Sequence, residues 1–320
     1  MKRALQACAV VLSILSIAGC GSGSLGNSGA GGSGGGGTPT TATADHVFLV
    51  VLENHSFSEV IGSSAMPYLN SLATQNALAG NYFAVTHPSL GNYFMLTAGA
   101  METNPIIGDS FPGPVSDDNL ARAFAASGKT WKAYMESIPS AGYIGPDVLP
   151  YSKHHNPFAY FTDVAGPDGH HATALAANIV PFTQLSADMT ANSLPNFGLI
   201  IPNLEHDAHD CPGGAPECPD SELLSAADNW LHDNIDPLIK SPSFANSVLI
   251  ITFDEGNDLD LNNGGGQVAT VLVGSHVKTG FRSTTFFQHQ STLRLILDLL
   301  QVSDHPGASA SAPPMGEFFN

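Results

Sequence analysis

Apolar runs and polar stops alternate along most of the chain. FLVVL at 48–52 and VLIITF at 248–253 are short and rich in Val, Leu, Ile and Phe, and each stops abruptly in oxygen-bearing side chains, Glu53-Asn54 in one case and Asp254-Glu255 in the other. Runs of this kind predict strands buried on both faces of a sheet, and in α/β sheets ligands bind beyond the carboxyl ends of such strands. Carboxylates placed there point to a cation or a substrate. Strand-like runs occupy 46–52, 81–85, 129–135, 196–202, 247–253 and 267–273, and helical periodicity fits 66–79, 90–98, 117–127, 220–239 and 289–301. The alternation predicts an α/β fold, a mostly parallel central sheet with helices on both faces. Residues 142–192, rich in Pro, Gly, His and Asn with little periodicity, are expected to be an insertion or loops near the site.

The N-terminus follows a different pattern. Lys2-Arg3, an apolar run from Ala4 to Ala18 and small residues before Cys20 predict an export signal, too short and wrongly flanked for a membrane span. Its end, Ile17-Ala18-Gly19-Cys20, resembles the lipobox of bacterial lipoproteins. That resemblance implies removal of residues 1–19, lipidation of Cys20 and attachment to the bacterial cell envelope, facing the outer membrane or periplasm. An ordinary cleaved signal with an incidental Cys is the plainer alternative. Residues 21–44 are nearly all Gly, Ser, Thr and Ala and form, with Cys20, a flexible tether whose root-mean-square reach is roughly 27 Å. Residues 45–320 then read as a single domain, with no second linker to divide them.

Charge narrows the partners. The chain carries 10 basic and 28 acidic side chains, a net −18, and loss of Lys2 and Arg3 with the leader takes it to −20. No basic face remains to neutralise nucleic-acid phosphates, so nucleic acid is excluded as a partner, and a small phosphate substrate would need a bound cation beside it. A monomer is expected, touching a membrane only through its lipid. Cys211 and Cys218 remain after the leader; in an exported protein they point to a disulfide, a Cys-type zinc site lacking further ligands.

Candidate chemistry lies at the strand ends. Ser89, in Thr86-His87-Pro88-Ser89-Leu90-Gly91-Asn92-Tyr93, sits at a strand-to-helix turn, where its hydroxyl is either a helix cap or a nucleophile beside a phosphoryl oxygen. After NFGLIIPN comes Leu204-Glu205-His206-Asp207-Ala208-His209-Asp210, a density of His and Asp that suits a metal or a phosphate, the alternative being a solvated loop. Lys153-His154-His155-Asn156-Pro157-Phe158 is a third polar cluster, and His289 opens a helix as a cap or a ligand. Asp228 and Trp230 lie mid-helix, where an exposed Asp and a packed Trp are expected.

Taken in order, FLVVLENHSF, THPSLGNY, KHHNPFAYF, PNLEHDAHD, DNWL, ITFDEG and FQHQSTLRLIL resemble the phosphoesterase family that holds bacterial acid phosphatases and phosphatidylcholine-type phospholipases C, the compact acid phosphatase branch above all. The resemblance implies an alkaline-phosphatase-like core. It further implies metal-binding positions at Glu53, Asn54, Ser89, Asp254 and Glu255, a nucleophile at Ser89, a phosphoryl contact at Asn92, and phosphate-binding or proton-shuttling roles for His155, His206, Asp207, His209 and His289. Three departures stand out: Gly91 replaces a usual Pro, His154 occupies a position often basic with Lys153 one place earlier, and Glu205-His206 replaces a different pair.

These residues imply phosphate monoester hydrolysis through a phosphoserine, with one divalent ion (Mg, Ca, Mn, Zn or Fe) and with His289 or His209 protonating the leaving alcohol. If imidazolium neutralises the substrate, activity should be highest below neutral pH. A phosphodiesterase or phospholipase C would share the first step, and a tethered binding lipoprotein is the non-catalytic alternative.

Overall fold

The computed structural model describes residues 39–102 and 108–320. The leader, Cys20 and most of the tether lie outside these residues.

The central sheet has eight strands: β1 (His46–Leu52), β2 (Ala77–Ala79), β4 (Trp131–Met135), β5 (Ile179–Pro181), β6 (Phe197–Ile201), β7 (Ser247–Phe253), β8 (Thr270–Gly274) and β9 (Phe281–Ser283), in the order β5-β4-β6-β1-β7-β8-β2-β9. Only β8 runs against the others. β3 (Tyr82–Phe83) and β10 (Phe287–Gln288) form a separate parallel pair. Helices α1 (Phe57–Val60), α2 (Pro67–Gln75), α3 (Ser89–Ala98), α4 (Leu120–Ser127), α5 (Thr162–Ala165), α6 (Gln184–Ala191), α7 (Asp220–Asn234), α8 (Asp236–Ile239) and α9 (His289–Leu299) flank the sheet, α3 packing on α9 and α2 on α7. This is the mostly parallel α/β architecture that the sequence predicts.

β1 and β7 pair in register over their whole length, and both are buried almost end to end. Each fully buried Val, Leu, Ile or Phe there stabilises the fold by about 1.5–3 kcal/mol, which ties the ends of both strands rigidly together. The fit is close. In β6 a Cβ on Gly198 would stand 2.6 Å from the Phe48 ring of β1, so only glycine lets the two strands meet.

Several predicted elements are corrected. The helix expected over 66–79 ends at Gln75, and Ala77–Ala79 becomes a strand because its backbone is taken up between β8 and β9. The run at 81–85 contributes only two residues, and those to the small sheet. The helix over 220–239 divides at Ile235 into α7 and α8, since Pro237 has no N–H for a continuous ladder. The stretch 142–192 contains three regular elements, α5, β5 and α6. Asp228 is buried, not exposed: it accepts from the backbone N–H groups of Tyr68 and Leu69, both at 2.8 Å, and so caps α2, whose own N-cap, Met66, has no oxygen to offer. Cys211 and Cys218 are disulfide-bonded. Among the described residues no helix is long and apolar enough to cross a membrane.

Candidate active site

Neighbouring strands β6, β1 and β7 bring three segments together at their carboxyl ends. Glu53 follows β1, Asp254 and Glu255 follow β7, and the turn carrying Asp207 follows β6. Backbone bonds fix them, Glu53 N–H to Asp207 O at 2.8 Å and Asp254 N–H to Leu52 O at 2.9 Å. All four carboxylates are buried. Burial, then Asp254 and Asp207, hold the pKa of Glu53 well above the usual carboxylate range. Burial pushes Asp207 up to about 8, raises Asp254, and together with Asp254 lifts Glu255 to about 8.

Ser89 heads α3, yet its hydroxyl does not cap the helix. It donates to Glu53 Oε2 at 2.9 Å, while Asp109 Oδ1 accepts from the Leu90 N–H, also at 2.9 Å. One turn further on, Asn92 Nδ2 donates to Glu255 Oε2 at 3.2 Å and to Thr86 O at 2.8 Å, and its Oδ1 accepts from the Val85 and Thr86 N–H groups. The amide is thereby locked with its NH2 toward the acids. Tyr93 donates its hydroxyl to Glu53 Oε1 at 2.5 Å.

The histidines separate into different roles. His155 is buried, with Nε2 3.3 Å from Glu53 Oε1 and Nδ1 3.2 Å from Asp207 Oδ2. Burial lowers its pKa to about 4, so the ring is neutral. His209 stands on the rim with its side chain 39% exposed, Nδ1 2.8 Å from Asp210 Oδ1 and its ring centroid 6.2 Å from that of His155. Burial depresses its pKa, but Asp207 and Asp210 outweigh that and raise it. His289 is fully buried, Nε2 donating to the Asp254 carbonyl at 2.5 Å and Nδ1 facing the Tyr82 hydroxyl at 3.1 Å. Both of its nitrogens are committed. His206 is engaged by Glu136 at the end of β4, 3.0 Å from its Oε1, and stands outside the convergence. His87, which the sequence motif contains but which its reading left without a role, reaches Glu255 Oε1 at 3.2 Å.

The donors suit a cation. A neutral imidazole has one N–H, so one of the two His155 nitrogens presents a lone pair to a carboxylate oxygen, an arrangement that calls for a positive charge between them. Asn54 Oδ1, His155 Nδ1, Asp207 Oδ2 and Asp254 Oδ2 are all buried without a hydrogen-bond partner. Glu53, His155 and Asp207 converge closely enough to share an ion, as do His87, Glu255 and Asp258. His155 and Asp207, which the resemblance assigns to phosphate, are thus placed equally well as ligands. Asn54 adopts a left-handed φ of 55°, tolerated by Asn, and its N–H donates to Asp254 Oδ1 at 3.2 Å.

The mostly parallel sheet with its flanking helices is an alkaline-phosphatase-like fold. A protein of the alkaline phosphatase superfamily from Vibrio parahaemolyticus shares the fold at a TM-score of 0.58 and 12% identity, over 84% of this chain and 69% of that one. The chain belongs to the Phosphoesterase family, which matches residues 63–303. It is 30% identical to a phosphatidylinositol-3-phosphatase of Mycobacterium tuberculosis, over 87% of this chain and 83% of that protein. It is 29% identical to a probable acid phosphatase of Kluyveromyces lactis, covering 81% of this chain but only 60% of that longer protein. The protein is a phosphoric ester hydrolase.

Proposed function

We propose that the protein is an acid phosphatase that hydrolyses phosphate monoesters through a phosphoserine at Ser89. The observation that carries this reading is the Ser89 hydroxyl, directed away from its own helix and onto Glu53 inside a cluster of buried acids. A divalent cation held by Glu53 with Asn54, Asp254 and Glu255, or by Glu53 with His155 and Asp207, would lower the pKa of that hydroxyl and draw charge from the phosphoryl oxygens.

The bond to Glu53 Oε2 orients Ser89 Oγ and marks where its proton goes as Oγ attacks phosphorus and the bond to the alcohol oxygen breaks. Asn92 Nδ2 keeps one hydrogen on Thr86 O and turns the other from Glu255 Oε2, where the bond is the longer, to a phosphoryl oxygen. His209 supplies the proton to the departing alcohol: its Nδ1 is held by Asp210, its Nε2 has no hydrogen-bond partner among the described residues, and its raised pKa keeps it charged at mildly acidic pH. In the second step Nε2 takes a proton from water as the water oxygen attacks phosphorus and Ser89 Oγ leaves, recovering its proton from Glu53. His289 acts by holding the Asp254 carbonyl, since no nitrogen of its ring is left to exchange protons. Charge on His209 favours activity below neutral pH; His87, which its contact with Glu255 holds up at about 9 against the cost of burial, stays charged through neutrality.

The lipobox reading places this activity on the cell envelope, tethered through Cys20. Purified protein assayed with p-nitrophenyl phosphate, bis-p-nitrophenyl phosphate and phosphatidylcholine, with Mg²⁺, Ca²⁺, Mn²⁺ or Zn²⁺ added, tests the enzymatic part against Ser89→Ala. Monoester cleavage lost in the mutant is expected. Equal rates in both proteins reject the serine, and cleavage of the diesters alone moves the reading to a phosphodiesterase or phospholipase C.

A further inference from the structure

A cavity of about 310 Å³ adjoins the site. Asp109, Phe111, Asp147, Lys153, His154 and Tyr160 are among its walls. It lies against the reacting centre on two sides: Asp109 is the residue that caps Leu90, next to Ser89, and His154 is the chain neighbour of the buried His155. Its volume falls at the lower end of small-molecule sites, roughly 300–1,000 Å³.

The chemistry of this cavity is unlike that of the carboxylate cluster. The Lys153 ammonium lies 4.4 Å above the centroid of the Tyr160 ring, and among the described residues it makes no ion pair. Lys132, Lys240, Arg122 and Arg294 each have a carboxylate partner; among the described residues Lys129, Lys278 and Arg282 share with Lys153 the lack of one, but of these four only Lys153 lines this cavity. Asp147, the nearest acid in sequence, has one oxygen occupied by the Lys153 backbone N–H at 2.7 Å. Tyr160 is held edge-on to Phe94 of α3, so the platform under the ammonium is anchored to the same helix that carries Ser89. In a chain with 10 basic against 28 acidic side chains, a half-buried ammonium kept out of ion pairs and facing a cavity is placed for an anion brought by a ligand. His154 adds a second donor on the same wall.

We propose that this cavity is the leaving-group subsite and that it recognises alcohols bearing a second phosphate, Lys153 holding that phosphate while the scissile one meets Ser89. The proposal rests on the phosphomonoesterase reading and sets a substrate class for it: organic bisphosphates over simple monophosphates. Lys153 is here a specificity residue, and it takes no part in bond breaking.

Calorimetric titration of Ser89→Ala, in the presence of the divalent ion that supports activity, with fructose 1,6-bisphosphate and fructose 6-phosphate tests it without turnover. The bisphosphate is expected to bind at least tenfold more tightly, and Ser89→Ala/Lys153→Met, whose Met keeps the apolar stem over Tyr160, should erase that advantage while leaving the monophosphate unchanged. In otherwise wild-type protein, Lys153→Met should raise KM for the bisphosphate and leave kcat/KM for p-nitrophenyl phosphate as it was. Equal affinities for the two sugars, or a mutant that weakens both alike, would overturn the subsite. Wild type that hydrolyses no monoester at all would instead overturn the phosphatase reading, with the binding comparison still deciding the cavity.

Discussion

Tyr93 gives its hydroxyl to Glu53 Oε1 while its ring lies nearly parallel to that of His155, 5.2 Å between centroids at 14°. One side chain thus orients two potential ligands, using the Glu53 oxygen that Ser89 does not. Burial and Glu53 raise the Tyr93 pKa, so it remains a neutral donor. Outer partners of metal ligands typically contribute 10–100-fold to affinity or activity. Tyr93→Phe keeps the stacking and removes the donor; kcat/KM should fall by about 10–100-fold with a parallel loss in divalent-ion affinity by equilibrium dialysis. A kinetic loss without any change in ion affinity would argue against this positioning role.

The buried acids give the metal-free protein a pH dependence of definite sign. Folded pKa values of about 8 for Asp207 and Glu255 stand well above those of the unfolded chain, near 4. Below pH ~4 both states hold the protons and these groups cost nothing; between ~4 and 8 the unfolded chain releases protons that the fold retains, so their contribution is lost as pH rises. A cation that binds only the folded state opposes that loss. Calorimetry after chelation should therefore show a larger gain in Tm on adding a divalent ion at pH 8 than at pH 5. A larger gain at pH 5 would reverse the sign of the argument.

His209 as the proton donor can be separated from the nucleophile by the choice of leaving group. Alkyl alcohols need protonation as they depart, whereas p-nitrophenolate leaves readily without it, and a general acid contributes roughly 10²–10⁴-fold. His209→Ala should accordingly lose about that factor on glycerol phosphate and much less on p-nitrophenyl phosphate. Uniform losses on both substrates would assign His209 to binding instead.

Asp228 lies in the DNWL motif, and its carboxylate holds the start of α2. Asp228→Ala leaves two backbone N–H groups without their acceptor and should cost about 2 kcal/mol in urea unfolding, with kcat unchanged. A fall in kcat at full stability would instead bring the motif into the chemistry.

The long strands were legible because burial on both faces forces a continuous apolar run, which β1 and β7 show from end to end. Short elements were not: Ala77–Ala79 and Ile179–Pro181 carry too few residues for a period, and only pairing makes them strands. The oxygen-bearing side chains at 53–54 and 254–255 were visible from their position after those strands. Tyr93 was hidden by its own apolar ring, which reads as helix core, and Asp109 by lying far along the chain from the helix it caps.

By itself the sequence determined the long strands at the centre of the sheet, and with them the acids that follow β1 and β7, because hydrophobic period and chain order are local properties. Only the tertiary structure decided what the polar side chains do there. It directed Ser89 onto Glu53 rather than onto its own helix, closed both nitrogens of His289, and drew Asp207 inward while His206 went to Glu136. A hydroxyl or an imidazole will accept any partner within about 3 Å, and which partner comes within that distance depends on strands far apart in the chain.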